Sequence, residues 1–139
     1  MSNRTVITGL GVITPLGNSV DVFWSALLDG KCGIGAITRF DVSAYPTRIA
    51  AEVKGFDPTG IIDKKEARRL DLSEQYAICA AEYALRDAGL DVAGLASVDL
   101  DRCGVVIGSG IGGLKTFEEQ HSKLVSSGPG RVSPFFVPM

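Results

Sequence analysis

The sequence predicts an α/β domain whose pattern is unfinished at its C-terminal end. Short β-branched runs, Val6–Thr8 with Gly11–Thr14 and later Gly104–Gly108, alternate with stretches of helical periodicity. Glycine and proline punctuate the joints between them. The last segment, Ser133 to Met139, is apolar and holds Pro134 and Pro138, so it is not a helix. Nothing in the sequence follows to cover Phe135 and Phe136, and the 139 residues read as the opening part of a larger protein.

Taken in order, Arg4 to Thr14 is expected to be a strand. Pro15, Leu16 and Gly17 break it. Asn18 or Ser19 can cap a helix over residues 20–28, with Phe23, Trp24, Leu27 and Leu28 on one face and Gly30 ending it. Residues 31–60 loosen into turn signals and read as an insertion, with a short strand over 48–53. Asp63 or Ser73 can begin helices, expected over 64–70 and 73–88. On the second, Ala77, Ala80, Ala81, Ala84, Leu85 and Ala88 share a face whose small side chains invite close approach of another backbone. Residues 90–102 form a connection. Gly104 to Gly108 reads as a buried central strand, and a helix follows over 114–126 with Leu114, Phe117, Leu124 and Val125 as its apolar face.

Composition narrows the function classes. Hydrophobic residues make up 45% and charged residues 22%, which is ordinary globular composition. The net charge of -2 argues against a nucleic-acid-binding domain, which needs a basic field. No stretch approaches the ~20 apolar residues of a membrane span. The first 17 residues lack the unbroken apolar core of a signal peptide, so a cytoplasmic protein is expected. Cys32, Cys79 and Cys103 have no CxxC spacing; they read as small buried hydrophobes in a reducing compartment, not as a disulfide or zinc framework.

Two features invite chemistry and do not carry it. Gly108, Gly110 and Gly113 match the dinucleotide fingerprint between a strand and a helix. That fingerprint needs an acidic residue about 20 residues on, and Ser127 to Met139 contains none. These glycines, with Gly9 and Gly11, are better read as serving close packing near a cavity. His121, the single histidine, has no cysteine or aspartate partner at motif spacing and reads as a structural or surface residue. No metal site or cofactor is indicated.

Several blocks in order resemble the β-ketoacyl-acyl carrier protein synthases, closest to the type II condensing enzymes of fatty-acid synthesis. They are Val6 to Gly17, Trp24 with Leu27, Gly30 to Ile34, and Arg39 to Asp41. Then come Ala51 to Val53, Lys65 to Asp71, Ile107 to Gly113, Gly128–Pro129, and Ser133 to Met139. The resemblance implies the thiolase-like fold, with residues 1–139 as the N-terminal portion of its first α/β half. It also implies an acyltransferase that elongates acyl chains by decarboxylative Claisen condensation with malonyl-acyl carrier protein, as a homodimer. A polyketide ketosynthase, or a non-catalytic chain-length-factor type subunit, is the alternative. In that family the catalytic cysteine follows the Phe-Phe-Val-Pro segment and two histidines come later. No catalytic residue is therefore assigned here, and the isolated chain is expected to be inactive.

Two substrate-binding roles carry over from the resemblance. Ile111 matches the residue that guards the acyl tunnel, and Phe136 an aromatic that lines the acyl pocket of the partner subunit. Lys65, Arg68 and Arg69 stand at i, i+3 and i+4, which on a helix is one face. The resemblance puts this basic face where the acidic acyl carrier protein docks.

Overall fold

The computed structural model describes residues 4–90 and 92–137. Among the described residues the helices are α1 (Val20–Leu28), α2 (Lys64–Ala67), α3 (Leu72–Asp87), α4 (Val92–Leu95) and α5 (Leu114–Ser127), with strands β1 (Ile34–Ala36) and β2 (Ile49–Ala51). The chain divides into two units. One holds the residues up to Asp57 together with Ala80–Ser97; the other holds Pro58–Cys79 and the residues from Val98 onward. The first half of α3 therefore belongs to one unit and its second half to the other.

In the first unit, α1 has the bounds its pattern predicts. Ser19 caps it, accepting from the Val22 amide at 3.4 Å, and Gly30 leaves it in the left-handed region at φ 65°. The predicted apolar face is only partly covered: Phe23 is half-buried, Trp24, Leu27 and Leu28 are exposed, and Ala26 is the buried residue. β1 and β2 pair antiparallel, Ile34 opposite Ala51 and Ala36 opposite Ile49. β1 was not anticipated; three residues with one glycine give too little alternation to read.

Residues 4–13 form no strand, a departure from the pattern. Their β-branched residues favour a ladder, but a ladder needs a second strand, and the one bridge here joins Thr14 to Gly17 within a turn. The segment instead lies on the small-residue face of α3. A Cβ at Gly9 would fall on Ala84 and Ala88, and one at Gly11 on Ala80 and Ala84. Small residues on both sides bring the backbones together, as the alanine periodicity predicts, although Ala81 itself is exposed. The Leu10 amide donates to Asp87 Oδ2 at 2.9 Å.

In the second unit, α2 stops at Ala67, shorter than the expected 64–70. Residues 104–108 are neither a strand nor buried: Val105 is 84% and Val106 99% exposed. The apolar run is intact, but among the described residues no strand stands beside it to pair. The connection after residue 90 holds α4 and a short 3-10 turn, Leu100–Arg102. α5 runs Leu114–Ser127, one residue beyond expectation, and buries Gln120 while Leu114, Phe117, Leu124 and Val125 stay exposed. Cys79 is fully buried as expected, but Cys32 and Cys103 are exposed. Pro138 and Met139 lie outside the described residues.

Candidate functional site

The apolar site grows from the start of α5. Gly112, at φ 77°, turns the chain, and Gly113 precedes the helix. Leu114 and Phe117 project from successive turns of α5. The Ser133–Val137 segment returns alongside, its Ser133 amide donating to the buried Gln120 Oε1 at 2.8 Å. This brings Phe136 against Phe117, with ring centroids 5.9 Å apart. Ile111, Gly113, Leu114, Phe117, Phe136 and Val137 line one cavity of about 480 Å³. Ile111 and Phe136, distant in sequence, thus line one open apolar depression, in which Ile111 is 78% and Val137 90% exposed. Helical periodicity puts Leu114 and Phe117 on a packing face, and nothing in it separates a core face from the wall of a depression.

His121 stacks on Phe117, with centroids 6.4 Å apart and rings within 5° of parallel. It joins Leu124 and Val132 around a smaller space of about 120 Å³. That is a packing role. Gly108 and Gly110 have open space around them, and only Gly113 of that motif meets a neighbour closely, the side chain of Asp71.

α2 ends at Ala67, but its turn continues: Arg68 follows in the right-handed helical region, and the Arg69 amide donates to the Glu66 carbonyl at 2.7 Å. Lys65, Arg68 and Arg69 are all exposed. Arg68 lines a polar cleft of about 450 Å³ with Asp71, Thr116 and Lys123. Arg69 places its guanidinium 4.6 Å from the centre of the Phe135 ring, a cation–π contact that its charge alone does not foretell.

Asp71 joins these parts. Its Oδ1 accepts from the Ser73 amide and hydroxyl, each at 2.9 Å, and so caps α3. Glu74 Oε2 accepts from the Asp71 amide at 2.9 Å, the reciprocal half of a capping box. Asp71 Oδ2 accepts from the Thr116 hydroxyl at 2.6 Å and the Thr116 amide at 3.4 Å. Burial pushes this carboxyl up, but the donors of Thr116 and Ser73 outweigh it and hold the group below its ordinary value.

A family model described as the N-terminal domain of beta-ketoacyl synthase matches residues 2–139. The chain belongs to the β-ketoacyl synthase family. It is 50% identical over 135 residues to the 3-oxoacyl-[acyl-carrier-protein] synthase 2 of Coxiella burnetii, covering 97% of this chain and 32% of that protein. Against the synthase 2 of Staphylococcus aureus (strain COL) it is 51% identical over 138 residues, 99% of this chain and 33% of that one. The β-ketoacyl synthase chain thus spans about a third of the length of the relatives it matches.

Among solved structures it is similar to the ishigamide ketosynthase/chain length factor, with TM-score 0.74 and 28% identity over 95% of this chain and 32% of that one. It is equally similar in fold to a type II PKS acyl-carrier protein in complex with its ketosynthase bound to the hexaketide. There the TM-score is 0.74 at 26% identity, over 95% of this chain and 33% of that one. The α/β architecture is therefore that of the N-terminal part of a thiolase-like ketosynthase, as the resemblance implies. Among the described residues no helix is long and apolar enough to cross a membrane.

Proposed function

We propose that this chain is the N-terminal part of a β-ketoacyl-acyl carrier protein synthase. That enzyme would elongate acyl chains in fatty-acid synthesis by decarboxylative condensation with malonyl-acyl carrier protein. Identity of about half across nearly the whole chain to proteins named 3-oxoacyl-[acyl-carrier-protein] synthase 2 carries this reading. In this reading the enzyme works in the cytoplasm as a homodimer, with Phe136 serving the partner's acyl pocket. Lys65, Arg68 and Arg69 receive the acidic carrier protein, whose approach their charge would steer. A cysteine nucleophile and two histidines supplied by the rest of the enzyme would carry out acyl transfer and decarboxylation.

A polyketide ketosynthase is the second reading, favoured by the titles of the structural neighbours. Their identity of 26–28% is well below the 50–51% to the fatty-acid type, which keeps fatty-acid elongation first.

The decisive experiment is a chimera in which this chain replaces the matching N-terminal third of the Staphylococcus aureus relative. Condensation of acyl- with malonyl-acyl carrier protein is expected. Within the active chimera, Ile111→Phe is expected to reduce long-chain transfer more than short-chain transfer, because an enlarged side chain overfills the cavity. A folded chimera without condensation would overturn the enzymatic reading, and equal loss at all chain lengths would remove Ile111 from the acyl site.

A further inference from the structure

We infer that the polar cleft beside Arg68 is part of the docking surface, and that Gln120 and Lys123 of α5 receive there a carboxylate side chain of the acidic carrier protein. The inference rests on the reading of Lys65, Arg68 and Arg69 as the docking face, and it extends that face to a second helix.

α5 turns one stripe to the cleft. Thr116, Gln120 and Lys123 stand at i, i+4 and i+7, and all three line it together with Arg68. Lys115 and Glu119, also in the lining, answer each other as an exposed ion pair at 3.8 Å. Asp71 brings a second carboxylate, but both its oxygens are taken up by donors of Ser73 and Thr116. Three cations against two carboxylates leave the lining net positive. Among the described residues, neither Arg68 nor Lys123 has a side-chain ion pair.

Gln120 points to the same ligand on other grounds. It is 5% exposed. Its Oε1 accepts from the Ser133 amide at 2.8 Å, which fixes the two ends of the carboxamide. Nε2 is left with no hydrogen bond among the described residues. The one fully buried side-chain atom among them that lacks a partner is Asn18 Oδ1, so Gln120 Nε2 has an opening to solvent. The smaller space that Gln120 also lines is walled mainly by Phe117, Leu124, Val132 and Phe136, so the opening is the polar cleft. A nearly buried donor left unfilled is costly, and an acceptor entering the cleft removes that cost. A carboxylate meets both demands: it accepts from Nε2 and pairs with Lys123 and Arg68. Continuity with the basic segment identifies its source. Arg68 belongs both to the docking face and to the cleft, so an acidic protein seated on the first presents carboxylates to the second.

The test uses the full-length chimera described above and its affinity for holo-acyl carrier protein by titration calorimetry, with unfolding midpoints to monitor folding. Gln120→Glu keeps the acceptor for Ser133 and replaces the donor by a like charge. It is expected to weaken binding about tenfold or more. Lys123→Ala is expected to weaken it about threefold, the scale of an exposed ion pair, and carries the test if Gln120→Glu does not fold. Lys31→Ala removes the same charge outside the cleft and is expected to bind as the unsubstituted chimera does. Unchanged affinity in either folded cleft variant, or a loss that Lys31→Ala matches, would overturn the inference; weakened binding by Lys65→Glu would then leave the docking face standing. If the unsubstituted chimera does not bind, or Lys65→Glu binds as it does, the docking reading fails and the inference with it.

Discussion

The Thr116 hydroxyl donates to Asp71 at 2.6 Å across 45 residues of sequence, so that one carboxylate terminates two helices. Each oxygen serves a different helix: Oδ1 the first turn of α3, Oδ2 the first turn of α5. Asp71 is correspondingly one of the few buried polar residues, 6% exposed.

Asp71→Ala removes a cap and a charge-assisted bond together. It is expected to cost about 2–3 kcal/mol, one typical cap plus one hydrogen bond to a charged group. Urea unfolding followed by helical circular dichroism measures this. A midpoint equal to the wild type would mean that neither helix depends on the carboxylate.

The same group gives a pH dependence of known sign. Its carboxyl titrates below the ordinary 3.8 in the folded chain. Its stabilisation is therefore complete above the unfolded value and is lost as pH falls through the lower folded one. Acid titration of wild type should show a helix loss in that range that Asp71→Asn lacks. Parallel curves for the two proteins would assign the acid transition to other groups.

Gly9 and Gly11 are predicted to be intolerant of alanine. At both, the added methyl meets the backbone of α3, which cannot rotate away as a side chain can. A loss of about 1–3 kcal/mol each is expected, the range of overpacked sites. Gly35, with open space around it, is the control. Equal urea midpoints for Gly11→Ala and Gly35→Ala would refute the close approach.

Lys65, Arg68 and Arg69, proposed above to receive the carrier protein, should not behave alike. Lys65→Glu and Arg68→Glu are expected to weaken carrier-protein binding while leaving the unfolding midpoint near wild type. Arg69→Glu should weaken binding and also destabilise by about 0.5–1 kcal/mol, since it loses the Phe135 contact. Wild-type binding should weaken with salt, as exposed charges are screened over about 10 Å at 0.1 M. Binding of holo-acyl carrier protein that ignores both salt and all three reversals would leave this surface with no docking role.

The sequence carried the helices well where periodicity and capping agreed. α1 and α5 each combine a helical repeat with a glycine stop, and the alanines of α3 foretold the close approach of another backbone, which Gly9 and Gly11 supply. The capping box Asp71–Glu74 was equally local, yet Ser73 competed as a starting signal, and only the geometry separates them. The bond from Thr116 to Asp71 was not legible at all, because no local rule relates residues 45 apart. Ile111 and Phe136 could be singled out only through family resemblance; as isolated apolar residues they look like core. Patterning likewise states what residues 104–108 prefer, not whether a partner strand is present.

That uncovered run has a consequence for how the chain behaves at high concentration. Val105, Val106 and Ile107 are β-branched, lie between glycines, and have no charge or proline among them. A segment of this kind open to solvent offers an unprotected template for cross-β stacking between molecules. Solubility should therefore fall with concentration through strand addition at this one window. A gatekeeper lysine at Val106, the most exposed of the three, should slow thioflavin-positive assembly.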